Sequence, residues 1–253
     1  KKNADFNFEA IKNKIAAWPG LKDMDLAKTV TCSASTKWSG GLYRFDFEQK
    51  LSSGLNVTKK HKVIAIDFGA KHNILRCLET EGCEVILLPA NTTAKDVLSY
   101  NPDGIFLSNG PGDPEATSKY SGSEIRTLVE TGIPLFGICI GHQLLALALG
   151  GSTSKMDRGH RGANHPVKDL TTNQIEITSQ NHGFVVNEHD LPDSLEVTHR
   201  SLFDGSIEGL RHKTLPSFSV QYHPESSPGP HDSRNLFSYF TSLMEKRANN
   251  YAS

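Results

Sequence analysis

Between residues 61 and 149, short continuous apolar runs alternate with apolar residues at helical spacing. The continuous runs lie at residues 63–66, 85–88, 105–107 and 133–138. Such runs are typical of buried strands, whereas a spacing of three or four is typical of one helix face. The helical stretches are Ile74, Leu75 and Leu78, then Val97-Leu98, then Ile125, Leu128 and Val129, and finally residues 140–149. Four strand–helix repeats predict an α/β fold, with an open, mostly parallel sheet and helices on both faces.

The two flanking regions have a different texture. Residues 1–60 are expected to be a small N-terminal appendage with a linker, and residues 61–253 the main domain. The predicted elements of the appendage are a helix with Phe8, Ile11 and Ile15, a short helix over 23–30, a strand or hairpin with Leu42, Phe45 and Phe47, and a linker at Ser52-Ser53-Gly54 and Lys59-Lys60. After Gly150-Gly151 the pattern predicts a mixed, strand-rich half, with strands at 176–178, 196–199 and 218–222 and a helix over 233–247.

The composition narrows the classes of function. The chain has 253 residues, of which 37% are hydrophobic and 22% charged, enough for a sizeable core. A net charge of −1 gives no field that would favour nucleic acid or an anionic membrane. No apolar run approaches the roughly 18 residues of a membrane helix. The four cysteines lack the Cys-x-x-Cys spacing of a metal or redox site, and so few cysteines in a chain of this length favour a reducing compartment over a disulfide framework.

A reactive cysteine is predicted where the fourth strand meets its helix. Gly137-Ile138-Cys139-Ile140-Gly141 has the form Gly-x-nucleophile-x-Gly, a sharp turn that lifts the nucleophile out at the carboxyl end of a strand. The first amides of the helix stabilise negative charge on the sulfur, and the Ile140 amide can stabilise an oxyanion. Gln143 shares the helix face of Cys139, whereas His142 points elsewhere and is expected to be structural. A small buried cysteine at a tight turn is the alternative interpretation.

A base with an orienting carboxylate is predicted near the C-terminus, in His223-Pro224-Glu225. If these residues end a strand, His223 and Glu225 point to the same side. The carboxylate would then hold one imidazole nitrogen and leave the other for a thiol. Alone, this triplet is more typical of a surface turn; together with the turn at Cys139 it predicts a Cys-His-Glu triad.

Two polar loops are further candidates for the site. Residues 108–114, Ser-Asn-Gly-Pro-Gly-Asp-Pro, follow the third strand and predict a rigid loop with exposed amides. Ligands bind along that carboxyl edge in open α/β folds. Gln180-Asn181-His182-Gly183-Phe184 is a polar turn that ends in an aromatic residue. Neither segment is specific by itself, and an ordinary turn is the alternative for each.

In this order, these segments resemble the class I (triad) glutamine amidotransferases, and within that family the small, glutamine-hydrolysing subunits of carbamoyl phosphate synthetase. The resemblance extends from about Met24 to the C-terminus. It is carried by residues 67–76, 101–104, 107–114, 137–146, 162–167, 179–183, 202–205 and 223–232. Ile140 stands where the family usually has Leu, a harmless change because only its amide is used. The chain lacks nearly all of the family's preceding N-terminal domain and begins Lys1-Lys2, so it is expected to be a fragment or a processed product.

The resemblance implies a role for each candidate residue. Cys139 would be the nucleophile, His223 the base and Glu225 the residue that orients the base. The amides of Gly110 and Ile140 would form the oxyanion hole and so contact the substrate. The other glutamine-binding residues that it implies are Gly112, Gln143, Asn181, Gly183 and Phe184.

The implied reaction is hydrolysis of glutamine to glutamate and ammonia through a γ-glutamyl thioester. The ammonia would pass to a large synthetase subunit for ATP-dependent carbamoyl phosphate synthesis, in the arginine and pyrimidine pathways. The chain has no Gly-x-x-x-x-Gly-Lys-[Ser/Thr] phosphate loop, so ATP, bicarbonate and Mg²⁺ are expected on that partner and no cofactor on this chain. The expected compartment is the cytoplasm, or an organelle if a segment before Lys1 carries a targeting signal.

Two alternatives remain for the function. The first is the glutaminase component of an amidotransferase for anthranilate, GMP or CTP, against which residues 164–167 and 227–232 argue. The second is a catalytically silent regulatory subunit, against which the intact triad argues.

Two further features of the sequence lead to no functional prediction. Asp67-Phe68-Gly69 spells a kinase triplet without its companion motifs. His160 and His165 lie in a Gly/His-rich turn with no carboxylate or cysteine at ligand spacing, so no metal site is predicted.

Overall fold

The structure, a computed structural model, describes residues 7–46, 49–53 and 60–252. Phe47, Gly54 and Lys59, which belong to the predicted hairpin and linker, lie outside these residues. The described helices are α1 (Phe8–Ala16), α2 (Ala27–Val30), α3 (His72–Thr80), α4 (Ala94–Ser99), α5 (Pro114–Glu130), α6 (Ile140–Ala148) and α7 (Asn235–Ala252), with a 3₁₀ turn at Glu188–Asp190. In the part of the chain that the structure describes, no helix is both long and apolar enough to cross a membrane.

The strands form one large sheet and a separate hairpin. Their bounds are β1 (Thr36–Lys37), β2 (Tyr43–Asp46), β3 (Gln49–Ser53), β4 (His61–Asp67), β5 (Cys83–Pro89), β6 (Gly104–Leu107), β7 (Leu135–Ile138), β8 (Thr153–Asp169), β9 (Ile175–Val186), β10 (Leu195–Ser201), β11 (Ile207–His212) and β12 (Ser217–Val220). Ten of them pair in the order β1-β5-β4-β6-β7-β12-β11-β10-β8-β9, and β2 pairs with β3. Strands β5, β4, β6, β7 and β12 are parallel, and their neighbours on both sides pair antiparallel. The predicted α/β class, with its mixed C-terminal half, is confirmed.

Side-chain alternation along the central strands divides the core between the two faces of the sheet. Val63 and Ala65 pack on one face, in a cluster with residues of α3 and α7. Ile64 and Ile66 pack on the other face, with residues of α4, α5 and α6. Helices therefore cover both faces, as the four strand–helix repeats predict.

Several predicted elements differ from the structure. The pattern misses β8 and β11, since β8 carries mostly polar, partly exposed residues and no apolar run. The predicted helix over 23–30 is shortened to α2, and Ser52 and Ser53 belong to β3 rather than to a linker. The last strand ends at Val220 instead of continuing to residue 222.

Part of the N-terminal segment is integrated into the main sheet. Strand β1 pairs with β5, with Thr36 opposite Leu87. Ala27 is completely buried in the core, whereas α1 buries none of its residues. The segment between α1 and β1 therefore packs directly against the edge of the sheet where the parallel strands end.

Candidate active site

A cavity of about 320 Å³ opens at the carboxyl edge of the parallel strands. All of the predicted site residues line it except Ile140 and Glu225, which lie directly beside lining residues. The predicted residues in its wall are Gly110, Gly112, Cys139, Gln143, Asn181, Gly183, Phe184 and His223. The sequence did not single out a role for Leu21, Asn109, Pro111, Arg161 or His182, which also contribute to this wall.

Cys139 occupies a strained turn between β7 and α6. Its φ of 56° and ψ of −106° are left-handed values that a non-glycine residue rarely adopts. The flanking glycines leave no space for a side chain: a Cβ on Gly137 would lie 2.7 Å from the Gly141 carbonyl oxygen, and one on Gly141 would lie 2.3 Å from the Leu107 oxygen. The turn places the Cys139 thiol at the positive end of α6, at the mouth of the cavity.

His223 and Glu225 form a buried pair behind Cys139. Nδ1 of His223 lies 2.8 Å from Oε1 of Glu225, and the imidazole also lies beside the Cys139 side chain. The predicted strand alternation does not bring them together, because β12 ends at Val220 and a turn follows in which the Ser226 amide donates to the His223 carbonyl. His223 and Glu225 therefore lie on the same side as predicted, but a turn rather than a strand places them there.

Burial and charge act in opposite directions on this pair. Burial lowers the pKa of His223, but the Glu225 charge and the hydrogen bonds with Cys139 and Glu225 outweigh it and raise the pKa to about 10. Burial raises the pKa of Glu225, but His223 and Lys71 together lower it below its ordinary value. The arrangement therefore favours a charged imidazolium held between a carboxylate and the thiol sulfur.

Lys71 and Asn73 hold the carboxylate side of the pair, a role that sequence reasoning missed. Nζ of Lys71 lies 3.1 Å from Oε1 of Glu225 and also donates to the Ser226 carbonyl. Nδ2 of Asn73 donates a 2.7 Å hydrogen bond to the Glu225 carbonyl. Both residues lie at the start of α3, so the only available signal was their place in the family-like segment 67–76.

The loop after β6 is held in place from two directions. A Cβ on Gly110 would lie 2.0 Å from the Phe68 carbonyl oxygen, so only glycine allows this approach. The Phe68 amide donates to Ser108 Oγ at 2.9 Å. On the other side, Gly112 has φ 102° and a Cβ there would lie 2.6 Å from the Met24 carbonyl oxygen. The loop amides are therefore fixed between the sheet and residues 21–26 of the N-terminal segment.

Gln143 connects α6 to the opposite wall of the cavity. Its Nε2 donates to the Phe184 carbonyl at 2.9 Å and to Gln221 Oε1 at 2.8 Å. Both amide hydrogens are thus committed within the protein, and Oε1 is the atom with which Gln143 can accept a hydrogen bond from a ligand. Asn181 lies on β9, opposite Arg161 of β8.

His142 and Asp67, for which the sequence predicted no catalytic role, make contacts that support the fold. His142 is completely buried, with Nδ1 2.9 Å from Ser219 Oγ, and burial lowers its pKa to about 3. Asp67, from the kinase-like triplet, accepts the amides of Gly69 and Ala70 at Oδ1 and that of Cys32 at Oδ2. His142 thus links α6 to β12, and Asp67 organises the turn after β4; neither residue lines the cavity.

Some known proteins are similar to this chain in sequence, and another is similar to it in fold. Curated relatives from Brucella ovis, Brucella canis and Brucella suis, each named carbamoyl phosphate synthase small chain, are 54% identical over 97% of this chain and 59% of their own length. The chain thus spans about three fifths of these relatives. A crystal structure of a protein described as one of the GMP synthase subunits of Thermoplasma acidophilum overlaps with a TM-score of 0.67, at 23% identity, over 76% of this chain and 98% of that chain. This second likeness concerns the fold alone.

The family itself follows from a match to most of the chain. Residues 64–243 fit the family model described as glutamine amidotransferase class-I. This stretch contains nearly all of β4, the strands from β5 to β12, the turn at Cys139 and the His223–Glu225 pair. The chain therefore belongs to the class-I glutamine amidotransferases.

Proposed function

We propose that this chain hydrolyses glutamine to glutamate and ammonia, with Cys139, His223 and Glu225 as its catalytic triad. The observation that carries the proposal is that one buried imidazole is hydrogen-bonded to a carboxylate and lies beside the thiol of a strained strand–helix turn, in the wall of one cavity. A cavity of about 320 Å³ in front of the sulfur suits a ligand of amino-acid size.

In the first half of the reaction, the thiol proton resides on His223, as the raised pKa of the imidazole favours, and the Cys139 thiolate attacks the side-chain carbonyl carbon of glutamine. A C–S bond forms and the carbonyl electrons move to oxygen, where the amides of Gly110 and Ile140 stabilise the oxyanion. Ile140 is the first residue of α6, so its amide has no acceptor within the helix. The oxyanion collapses, the C–N bond breaks, and the departing ammonia takes the proton from His223.

In the second half, a water molecule hydrolyses the γ-glutamyl thioester. His223 accepts a proton from this water molecule while the water oxygen attacks the thioester carbonyl carbon. The same two amides stabilise the second oxyanion. The C–S bond then breaks, glutamate leaves, and the Cys139–His223 pair is restored. Glu225 keeps the imidazole oriented throughout and stabilises its positive charge.

We further propose that the ammonia serves carbamoyl phosphate synthesis on a large synthetase subunit. The name shared by the Brucella relatives supports this assignment. ATP, bicarbonate and Mg²⁺ would bind that partner, and the arginine and pyrimidine pathways and the cytoplasmic location stay predictions. The alternatives are another amidotransferase and a silent regulatory subunit; the buried pair at Cys139 argues for a working glutaminase.

Glutamate release from glutamine tests the proposed hydrolysis directly. The Cys139→Ala variant should release no glutamate above background, and hydroxylamine should trap a γ-glutamyl intermediate only with the unchanged thiol. Cys32→Ala is the matched control, because Cys32 is a half-buried thiol whose pKa is raised by burial and by Asp67. Undiminished glutamate release from Cys139→Ala protein would refute the assignment of the nucleophile.

The partner assignment has its own test in the assembled complex. Cys139→Ala should abolish glutamine-dependent carbamoyl phosphate synthesis and leave synthesis from free ammonia intact, since only ammonia production uses this thiol. Loss of both activities in a correctly assembled complex would contradict this division of labour. Synthesis of GMP, CTP or anthranilate with the corresponding partner would instead support the alternative amidotransferases.

A further inference from the structure

Three buried side chains from different strands converge beside the cavity: His160 of β8, His182 of β9 and Glu208 of β11. The two histidines face each other across the β8–β9 pair, with ring centroids 4.9 Å apart. Oε1 of Glu208 lies 3.4 Å from Nδ1 of His160 and 3.9 Å from Nε2 of His182. One atom of each group lies within 4.8 Å of the other two, and the side chains are 9%, 2% and 0% exposed, respectively.

In each of the three side chains, the atom that faces away from the cluster makes a hydrogen bond. This leaves a lone pair on the atom that faces the other two side chains. Nδ1 of His182 lies 2.9 Å from the Phe184 carbonyl, which only accepts, so Nδ1 carries the hydrogen and Nε2 a lone pair. Nε2 of His160 lies 2.9 Å from the Asp204 carboxylate, so its Nδ1 carries the lone pair in the neutral ring. Oε2 of Glu208 accepts from Gln180 Nε2 at 2.9 Å. Metal-binding histidines in proteins are oriented by the same carbonyl and carboxylate contacts.

These lone pairs face one another and need a hydrogen-bond donor or a cation between them. Among the described residues, neither Nδ1 of His160 nor Nε2 of His182 has a hydrogen-bond partner. A second proton on His160 would satisfy Glu208, and the Glu208 contact and the Asp204 charge do raise the pKa of His160 against the effect of burial. That proton would still leave Nε2 of His182 buried without a partner. A single cation between the three atoms serves all of them.

We propose that His160, His182 and Glu208 bind a divalent transition-metal ion, with zinc as the best-fitting candidate. Two imidazole nitrogens and one carboxylate oxygen are an ordinary zinc donor set, which water can complete to four ligands. Ligands about 2.1 Å from a tetrahedral ion lie about 3.4 Å from one another. Glu208 Oε1 already lies 3.4 Å from Nδ1 of His160, and the 3.9 Å to Nε2 of His182 requires only a small inward shift. The sequence predicted no metal here because Glu208 belongs to a strand distant in the sequence from His160 and His165, which lie on β8 rather than in the predicted turn.

A metal ion at these three residues should also affect glutamine binding in the neighbouring cavity, an effect that rests on the proposed function. His182 lies between Asn181 and Gly183, and all three residues line the cavity. A bound ion would fix this part of β9 against β8. Removal of the metal should therefore raise the KM for glutamine more than it lowers kcat. If the chain proves not to hydrolyse glutamine, the metal-binding measurement is unaffected.

Metal titration of untagged protein tests the site directly. The Cys139→Ala background removes the cavity thiol, which could bind zinc by itself. We expect one Zn²⁺ per chain in competition with a chromophoric chelator, and the visible absorption of four-coordinate Co²⁺ when cobalt replaces zinc. Glu208→Gln and His160→Gln should each weaken zinc binding by at least about 100-fold, and Asp204→Asn by about 10- to 100-fold. His189→Gln, at an exposed histidine outside the cluster, should leave the affinity unchanged.

Folding is verified for each variant by circular dichroism. Asp204 is 42% exposed, so Asp204→Asn keeps the test decisive even if a buried substitution prevents folding. The proposal is overturned if the folded background protein binds no stoichiometric Zn²⁺, or if folded Glu208→Gln or Asp204→Asn protein binds it as tightly. A nuclear magnetic resonance titration in which His160 keeps both ring protons at saturating Zn²⁺ would also overturn it.

Discussion

The backbone amide of Asp23 donates a 2.7 Å hydrogen bond to Oδ2 of Asp113, across 90 positions of the chain. The other carboxylate oxygen accepts the Glu115 amide at 2.9 Å and caps α5. The Asp113 amide in turn donates to the Met24 carbonyl at 2.8 Å. One buried residue therefore joins the N-terminal segment, a helix start and the loop that carries Gly110.

Substitution of Asp113 should reduce both activity and stability. We expect Asp113→Ala to lower kcat for glutamine by about 10- to 100-fold, because a shift of about 1 Å in an oxyanion donor has an effect of that order. The lost cap should lower the free energy of unfolding by about 1 kcal/mol. Thr93→Ala, which removes the exposed cap of α4, should lose similar stability with an unchanged kcat. Equal kcat values for both variants would show that the loop does not depend on Asp113.

The two partners of the thiol should differ in their effect on rate. His223→Asn removes the group that moves the proton, and thioester formation should slow by about 10²- to 10⁴-fold. Glu225→Gln keeps the shape and only weakens orientation and charge stabilisation, so its effect should be smaller. Single-turnover thioester formation measures both variants. A Glu225 variant as slow as the His223 variant would assign the carboxylate a larger role than orientation.

The stability of the protein should depend on pH through His223. Its pKa is about 10 in the folded chain and ordinarily 6.5, so the proton is bound more tightly in the folded state. The stabilising contribution is fully present below pH 6.5 and is lost as the pH rises towards 10. Urea unfolding of wild-type and His223→Gln protein should differ most at pH 6 and least above pH 10. A difference that does not change over this range would contradict the raised pKa.

His142 provides the opposite case for comparison. Burial lowers its pKa from 6.5 to about 3, so the folded chain holds it neutral. Its contribution is present above pH 6.5 and is lost as the pH falls towards 3. The unfolding free energies of wild-type and His142→Gln protein should therefore converge on acidification. Divergence at low pH would show that His142 is charged in the folded protein.

Arg161 should contribute to substrate binding. Its Nη2 is the nearest atom to the position of a Cβ on Gly183, at 3.9 Å, so the guanidinium lies at the cavity wall. We expect Arg161→Gln to raise the KM for glutamine by about 10-fold or more, the effect of losing one charge-assisted hydrogen bond, with little change in kcat. Arg158→Gln, at an exposed arginine on the same strand that does not line this cavity, is the control. Equal KM values for the two variants would exclude Arg161 from substrate binding.

The sequence alone determined the central α/β pattern and the residues at the candidate site. Strand and helix periodicities depend on neighbours within a few positions, so the elements from β4 to α6 are evident without tertiary information. The Gly-x-Cys-x-Gly turn is recognisable within five residues, although only its first glycine is required by a contact within the turn, and the second is required by the approach of Leu107 from β6. The site residues that follow β6, β7 and β12 meet at one edge because these parallel strands end there, whereas Asn181, Gly183 and Phe184 reach the cavity from the antiparallel β9.

Only the tertiary structure decided the contacts that arise between distant segments. Lys71 at Glu225, Asp23 at Asp113 and Glu208 between two histidines each join residues from separate elements. No periodicity encodes such pairs, because they depend on the path of the whole chain and on how β8 and β9 pair. Strand β8 itself is stabilised by pairing with β9 and β10 rather than by an apolar run, so its polar sequence reveals it only once those partners are in place.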